Sequence, residues 1–178
     1  MVDAVAVAAE IKRFAPAGAA LLLDSRKIRK GDVFFAVKGV HTDGRAFIEK
    51  ACGASCVVAE KGDIGPCSVP VIEIDNLYRA LGPIAAAYYG NSTAQMIGIA
   101  VTGTNGKTTT ANWIADLMNR LGTPCASIGT LGCTLNGIVL PSVSMTTPDP
   151  LTLQAKFAEL LSRGCKAFAM EASSIGLE

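Results

Sequence analysis

One stretch near the middle of the chain, "IAVTGTNGKTTTANWIADL" at 99–117, limits the fold more than any other segment. An apolar run, "MIGIAVTG", leads into a loop of Gly and Thr residues with one Lys, and a helical pattern follows from about Thr108 to Leu121. A continuous apolar strand is typical of a parallel sheet that is buried on both faces. A strand, a Gly-Lys-Thr loop and a helix in this order predict a phosphate-binding loop, because loop N–H groups and the helix N-terminus point at phosphate oxygens.

The residue types in this loop predict a nucleoside triphosphate with Mg²⁺. Lys107 would pair with the β- and γ-phosphates, and the Thr108 hydroxyl would ligate the metal ion. The general motif places a Gly six residues before the Lys, where this chain has Val101. The loop glycines alone also fit an ordinary strand-to-helix turn in which they supply unusual φ angles. The flanking strand and helix favour the phosphate-binding interpretation.

A carboxylate that would complete the metal site follows another apolar strand. Glu171 ends the apolar part of "KAFAMEASS". Because the carboxyl ends of parallel strands lie along one edge of a sheet, we expect Glu171 near Thr108. The alternative is a solvated carboxylate at a strand end.

Composition excludes several classes of protein. The chain has 178 residues, of which 50% are apolar and 17% charged, so it supports a buried core. A net charge of +1 gives no electrostatic footprint for nucleic acid, and no apolar run approaches the ~20 residues of a membrane helix. Scattered charges near the N-terminus do not fit a signal peptide, so we expect a cytoplasmic protein. Six cysteines without a CxxC pair, and a single His, predict reduced buried thiols and no zinc site.

The remaining pattern predicts an α/β chain with two domains. Helices are expected over 3–14, over "DGRAFIEKACGA", over 76–90 and over 151–163, with Pro83 favouring a kink or a break. Asn136 and Gly137 predict a hairpin turn between two short strands. After Gly90 the pattern changes to the continuous apolar run "MIGIAVTG". We therefore predict a domain boundary there, between residues 1–90 and 91–178.

Four segments, in this order along the chain, resemble the Mur ligases. "VTGTNGKTTT" resembles the ATP loop of that family, which folylpolyglutamate synthetases share. "LLLDSRKIRKGDVFFAVKGVHTDGRAFIEKACGASCVVAE" resembles the N-terminal uridine-nucleotide-binding domain, which argues against the folylpolyglutamate alternative because those enzymes lack it. "MTTPDPLTLQ" and "MEASSIGLE" resemble the MurE type, which adds the third amino acid of the wall peptide.

This resemblance implies a fold and an activity. Residues 1–90 would bind a UDP-sugar, and residues 91–178 would form the first part of a P-loop ATPase domain. The implied reaction adds meso-diaminopimelate or L-lysine to UDP-N-acetylmuramoyl-L-alanyl-D-glutamate through an acyl phosphate, with ATP and Mg²⁺ as cofactors. Family members are far longer and have three domains, so we expect this chain to be an inactive part of a monomeric enzyme. The alternative is a fragment that only binds UDP or UDP-sugar.

The resemblance also implies individual site residues. Lys107 and Glu171 are implied in catalysis, and Thr108 and Glu171 in Mg²⁺ binding. The implied ATP contacts are Gly103, Thr104, Asn105, Gly106, Lys107, Thr108 and Thr109. The implied substrate contacts are Leu23, Ser25, Val40, His41, Thr42, Thr146, Thr147 and Ser173. His41 also fits a surface side chain in a turn. Met145 and Ile175 depart from the family pattern, where many relatives have Asn and His.

Overall fold

The computed structural model describes residues 2–39, 42–51, 53–140 and 148–173. The chain divides into two units, residues 1–90 with 150–155 and residues 91–149 with 156–178. Each unit contains a β-sheet and helices, so the predicted α/β class is confirmed. Within the described ranges, no helix combines the length and the apolar character that a membrane crossing requires.

The first unit is built on a parallel sheet whose strands follow one another in chain order. Its strands are β1 (Leu21–Leu22), β2 (Val33–Ala36), β3 (Cys56–Glu60) and β4 (Val71–Ile74), and its helices are α1 (Ala4–Phe14) and α2 (Leu77–Tyr88). Alternate residues of the strands enter different cores. Phe35 and Val58 pack with the two helices, whereas Phe34 and Val57 pack with the segment 44–51 on the opposite face.

The segment after β2 is a 3₁₀ helix, Gly44–Lys50, rather than the predicted α-helix. The Asp43 carboxylate accepts a hydrogen bond from the Arg45 N–H at 3.0 Å, which fixes its start. A Cβ at Gly44 would lie 2.8 Å from the Val37 backbone, so this turn fits tightly against the end of β2. Only Ile48 of the segment is buried. One buried side chain gives too little packing to favour a regular α-helix, which in proteins depends on an amphipathic face.

Of the two possibilities predicted at Pro83, a kink or a break, the break is wrong, because helix α2 continues through this residue. Pro83 lies on the exposed side of the helix. Leu77, Leu81 and Ile84 on the other side are almost completely buried. Packing of this apolar face stabilises the helix enough to offset the hydrogen bond that the proline removes.

The second unit has a mixed sheet in the order β5-β9-β6-β7-β8. Its strands are β5 (Ile97–Val101), β6 (Cys125–Gly129), β7 (Gly132–Leu135), β8 (Ile138–Leu140) and β9 (Ala167–Glu171). Its helices are α3 (Lys107–Arg120) and the part of α4 (Pro150–Ser162) from residue 156 onward, since residues 150–155 are grouped with the first unit. Strands β5, β9 and β6 are parallel, and β7 and β8 form an antiparallel hairpin. Asn136 and Gly137 have φ angles of 52° and 76° in its turn, which confirms the predicted hairpin.

Strand β5 is largely exposed, although its continuous apolar run is typical of a strand that is buried on both faces. The strand lies at the edge of the sheet and pairs only with β9 in the described part of the chain. Ile97 is 58% exposed. Its neighbour Gly98 lies under the ring of Phe168, which a Cβ would approach to 2.7 Å. An apolar run identifies a strand, but it does not specify which strands lie on either side.

Candidate nucleotide and uridine sites

The glycine loop joins the C-terminal end of β5 to the first residue of α3. Gly103 and Gly106 have φ angles of 145° and 80°, which residues with a Cβ rarely adopt. Gly106 occupies the cap position of α3, so no side chain at that position covers the first N–H groups of the helix. Such N–H groups attract anions together with the helix dipole. Local conformation therefore requires both glycines and leaves a site that suits phosphate.

Lys107, the first residue of α3, bends back over this loop. Its Nζ donates hydrogen bonds to the carbonyl oxygens of Gly103 at 2.7 Å and Thr104 at 3.4 Å. An ammonium group has three donors, so one remains for a further acceptor. Thr108 is half-buried, whereas Thr104, Asn105 and Thr109 are exposed. The loop thus brings the seven predicted ATP contacts together in one continuous turn and helix start.

Glu171 is buried, so the alternative of a solvated strand-end carboxylate is wrong. Only 2% of the residue is exposed. Its Oε1 accepts a hydrogen bond from the Thr130 N–H at 2.8 Å, and its Oε2 accepts one from the Thr130 hydroxyl at 3.2 Å. Among the described residues, none of the ion pairs includes Glu171. A buried carboxylate without a paired cation is costly, which makes this position favourable for a positive charge.

The register of the sheet places Glu171 beside the glycine loop. Val101, the last residue of β5, is paired with Glu171 of β9. The carboxylate therefore lies at the C-terminal ends of the parallel strands, where the loop that follows Val101 also begins. Ser173 comes two residues later and is half-buried.

The donors at this edge fit Mg²⁺. A threonine hydroxyl, at Thr108, and a carboxylate, at Glu171, are oxygen ligands of the kind that Mg²⁺ prefers. Within the ranges that the structure describes, no three His, Cys, Asp or Glu residues form a metal cage. A nucleotide-bound Mg²⁺ keeps several waters and takes other ligands from phosphates, so one hydroxyl and one carboxylate of the protein suffice for it.

The first unit contains a cavity of about 570 Å³ at the C-terminal ends of β1 and β2. Three of the predicted substrate residues, Leu23, Ser25 and Thr42, line it. Apolar and aromatic side chains form much of the rest of its wall: Phe35, Val37, Phe47, Tyr78 and Leu81. A cavity of this volume, largely apolar with a few polar groups, is suited to part of a nucleotide.

Four predicted substrate contacts lie outside the described residues: Val40, His41, Thr146 and Thr147. Gly39 and Thr42, which flank the first two, both line the cavity of the first unit. A larger cavity of about 820 Å³ lies beside α1 and α2, and it contains none of the predicted site residues. The smaller cavity is therefore the candidate uridine site.

Ion pairs neutralise two carboxylates near this cavity. The Arg26 Nε lies 2.9 Å from Asp24 Oδ1, and its hydrogen bond lowers the pKa of Asp24 to about 2. In the same way, a hydrogen bond from Arg45 lowers the pKa of Asp43. Because both carboxylates are paired, they repel an anionic ligand less than free carboxylates would. Lys50, which also lines the cavity, adds a positive charge.

Gly129 and Thr130, which hold the Glu171 carboxylate, were missed at the level of sequence. They stand at the end of the apolar strand in "CASIGT". Their position was the available signal, because a third parallel strand contributes its carboxyl end to the same edge.

The fold and the loop define an α/β protein with a strand–glycine loop–helix unit. Two known protein families match the sequence of this chain. Residues 101–178 match the Mur ligase middle domain, and residues 19–89 match the Mur ligase family, catalytic domain.

Full-length relatives show the same similarity. UDP-N-acetylmuramoyl-L-alanyl-D-glutamate--2,6-diaminopimelate ligase of Coxiella burnetii is 44% identical over 163 residues, which are 89% of this chain and 33% of the relative. The ligase of the same name from Geobacter sulfurreducens is 38% identical over all of this chain and 35% of the relative. The chain belongs to the Mur ligase family, which confirms the resemblance carried by the four motifs. It spans about a third of the length of these relatives.

Solved structures agree with this assignment. A UDP-N-acetylmuramoyl-L-alanyl-D-glutamate--2,6-diaminopimelate ligase matches 94% of this chain with a TM-score of 0.70 and 28% identity, over 36% of its own length. The MurF ligase of Thermotoga maritima, solved in complex with ADP, matches 98% of the chain with a TM-score of 0.61, over 34% of its own length. At 21% identity, the second similarity concerns the fold alone.

Proposed function

We propose that this chain belongs to an ATP-dependent amide ligase of peptidoglycan synthesis. Its acceptor would be UDP-N-acetylmuramoyl-L-alanyl-D-glutamate, and its amine 2,6-diaminopimelate. The observation that carries this proposal is 38–44% identity over most of the chain to relatives named as such ligases. L-lysine is the alternative amine. The acceptor is a soluble uridine nucleotide, which favours a cytoplasmic location, and the proposal also includes a monomeric full-length protein.

In the proposed reaction, the γ-phosphoryl group of ATP passes to the D-glutamyl side-chain carboxylate, giving an acyl phosphate and ADP. The amine then attacks the acyl carbon, inorganic phosphate leaves, and the amine loses a proton as the amide forms. The loop N–H groups and Lys107 would bind the phosphates and offset their charge. Thr108 and Glu171 would hold Mg²⁺, which neutralises the repulsion between the two anionic reactants when it is bound.

The substrate contacts belong to the same proposal. Leu23, Ser25 and Thr42 would contact uridine in the cavity of the first unit, together with Val40 and His41. Thr146, Thr147 and Ser173 would contact the muramoyl dipeptide. Support for the uridine part is that three of these residues, which come from two separate loops after β1 and β2, line one cavity of suitable volume.

A second candidate, a UDP-binding module without turnover, is favoured by one observation. All the residues that line the cavity belong to the first unit, from Leu23 to Leu81. Uridine binding therefore requires no residue of the nucleotide loop. Under this candidate, the chain would bind UDP but would not couple ATP to amide formation.

Calorimetry and a phosphate-release assay test both candidates with the purified chain. Separate titrations with UDP, the UDP-sugar dipeptide and ATP·Mg²⁺ should each give saturable binding. Phosphate release that requires ATP, the dipeptide and diaminopimelate supports the ligase, and replacement by lysine tests the alternative amine. Binding of both UDP and ATP·Mg²⁺ without phosphate release would support an inactive part of the ligase, whereas UDP binding without ATP·Mg²⁺ binding would support the binding module. A folded chain that binds neither nucleotide at millimolar concentration would contradict both.

A further inference from the structure

The carboxylate of Glu171 occupies space that exists only because residue 129 has no side chain. A Cβ at Gly129 would lie 1.9 Å from Glu171 Oε1 and 2.5 Å from Cδ. The φ angle of Gly129 is not among the positive ones, so its backbone alone does not require glycine. The reason for glycine at this position is therefore space for the carboxylate.

The residue that follows supplies both hydrogen bonds to the carboxylate. The Thr130 N–H binds one oxygen of Glu171 and the Thr130 hydroxyl binds the other, at 2.8 Å and 3.2 Å. Two donors from one residue on two different oxygens fix the plane of the carboxylate. A carboxylate offers roughly four acceptor positions, so two hydrogen bonds within the described part of the chain leave about two for another ligand.

The hairpin between β6 and β7 holds these donors in place. Gly129 is paired with Gly132, so only Thr130 and Leu131 lie between the two strands. So short a connection leaves the backbone N–H of Thr130 little freedom of direction. Glu171 itself is fixed by β9, which pairs with β6 on one side and β5 on the other.

We propose that Gly129 and Thr130 are positioning residues that hold the Glu171 carboxylate in the orientation needed to bind the divalent cation of the nucleotide. This inference rests on the proposed nucleotide function and assigns roles to two residues that the sequence analysis did not. They act through Glu171, as partners that orient a metal ligand generally do. Neither residue contacts the cation in this proposal.

Mn²⁺ binding, followed by electron paramagnetic resonance in the presence of a non-hydrolysable ATP analogue, tests this role. Thr130→Val removes the hydroxyl, and because Thr130 is exposed the core is unaffected. Mn²⁺ affinity should fall about tenfold, whereas binding of the metal-free analogue should change less than about twofold. Thr130→Ser should restore most of the affinity. Thr134→Val, a half-buried threonine of β7, is the matched control and should change neither.

Two further variants separate positioning from a general structural effect. Gly129→Ala should displace the carboxylate and weaken Mn²⁺ binding at least as much as Thr130→Val. In a Glu171→Gln background, Thr130→Val should cause no further loss, because its effect passes through that carboxylate.

The outcomes distinguish this inference from the function on which it rests. If the unmodified protein binds no nucleotide, both are overturned. If it binds nucleotide with Mn²⁺ and Glu171→Gln weakens the metal, but folded Thr130→Val matches the unmodified protein, only the positioning role is overturned. An equal loss from Thr130→Val with and without Glu171 would also overturn it.

Discussion

Val101 and Glu171 are paired across two parallel strands, and the N–H of the next residue, Ala172, donates to the Val101 carbonyl at 2.9 Å. The first residue of this pair precedes the glycine loop, and the second carries the buried carboxylate. Backbone hydrogen bonds between β5 and β9 therefore fix the position of the carboxylate relative to the loop. Substitution of individual loop side chains should leave that relation intact, which allows their contributions to be measured separately.

Replacement of Lys107 by Ala should weaken nucleotide binding and leave UDP binding unchanged. The ammonium group would donate to phosphate oxygens, and a hydrogen bond to a charged group contributes about 2 kcal/mol, or about thirtyfold in affinity. Calorimetry with ATP·Mg²⁺ and with UDP measures the two effects on one sample. Lys166→Ala, which removes an exposed lysine of the same unit, is the control. Unchanged ATP affinity in Lys107→Ala would show that the loop does not bind phosphate in the way proposed.

Replacement of Leu23 by Ala should weaken UDP binding as well as lower the free energy of unfolding. Leu23 is 37% exposed and lines the cavity, so the folded protein alone buries only part of it. If UDP covers the exposed part of Leu23, the Ala variant should lose about 1 kcal/mol of binding free energy, roughly fivefold in affinity. UDP titration and urea unfolding measure both quantities. Leu131→Ala, at a residue 71% exposed in the other unit, should leave UDP affinity unaltered; equal UDP affinity in both variants would argue against this cavity.

Removal of the Asp3 carboxylate should destabilise the first unit. Asp3 accepts hydrogen bonds from the N–H groups of Val5 and Ala6 at 3.1 Å and 3.0 Å, and so caps α1. Loss of such a cap lowers the free energy of unfolding by about 1 kcal/mol. Urea denaturation of Asp3→Ala and Asp3→Asn separates the cap from the charge, since asparagine also caps. A loss as large in Asp3→Asn as in Asp3→Ala would exclude capping as the cause.

The ion pair at the cavity predicts an acid-dependent stability. The hydrogen bond from Arg26 lowers the pKa of Asp24 to about 2 from its ordinary value of 3.8. A depressed pKa in the folded state stabilises the protein above the unfolded pKa, so this contribution is present above about pH 4 and lost as pH falls toward 2. Carboxyl NMR titration should give a higher midpoint for Asp24 in Arg26→Ala and no change in Arg29→Ala. An unmoved midpoint in Arg26→Ala would contradict the assignment of its cause.

Thiol reactivity should follow burial. Burial raises the pKa of Cys56, Cys125 and Cys133 to about 11 each, and all three are buried. Cys67 is only half-buried. Because the thiolate is the reactive form, Cys67 should be alkylated first of these four under native conditions at pH 8. Mass spectrometry after timed exposure to iodoacetamide gives the order, and faster labelling of Cys56 than of Cys67 would contradict this account.

Local features of the fold were predictable, whereas contacts between distant segments were not. Asn136 and Gly137 favour a hairpin through the conformation of their turn alone. The glycine loop likewise predicts the strand before it and the helix after it. The edge position of β5 depends on which strands lie beside it. The residues of β5 itself do not predict those neighbours. The roles of Gly129 and Thr130 depend on Glu171, 41 residues beyond Thr130. A role created by such a long-range approach has no local pattern in the sequence beyond the position of these two residues at the end of an apolar strand.

The strand order of the two sheets has a consequence for the course of folding. In the first unit each new strand pairs with the one made just before it, so the sheet can grow as the chain leaves the ribosome. In the second unit β9 inserts between β5 and β6, although it is made after β6, β7 and β8. Some 66 further residues, from Val101 to Ala167, must therefore be synthesised before β5 can pair with β9. The closure of this long loop is expected to be slow, and the same pairing of β5 with β9 brings Glu171 to the end of the strand that precedes the glycine loop, so that the loop and the carboxylate reach their relative position in one step.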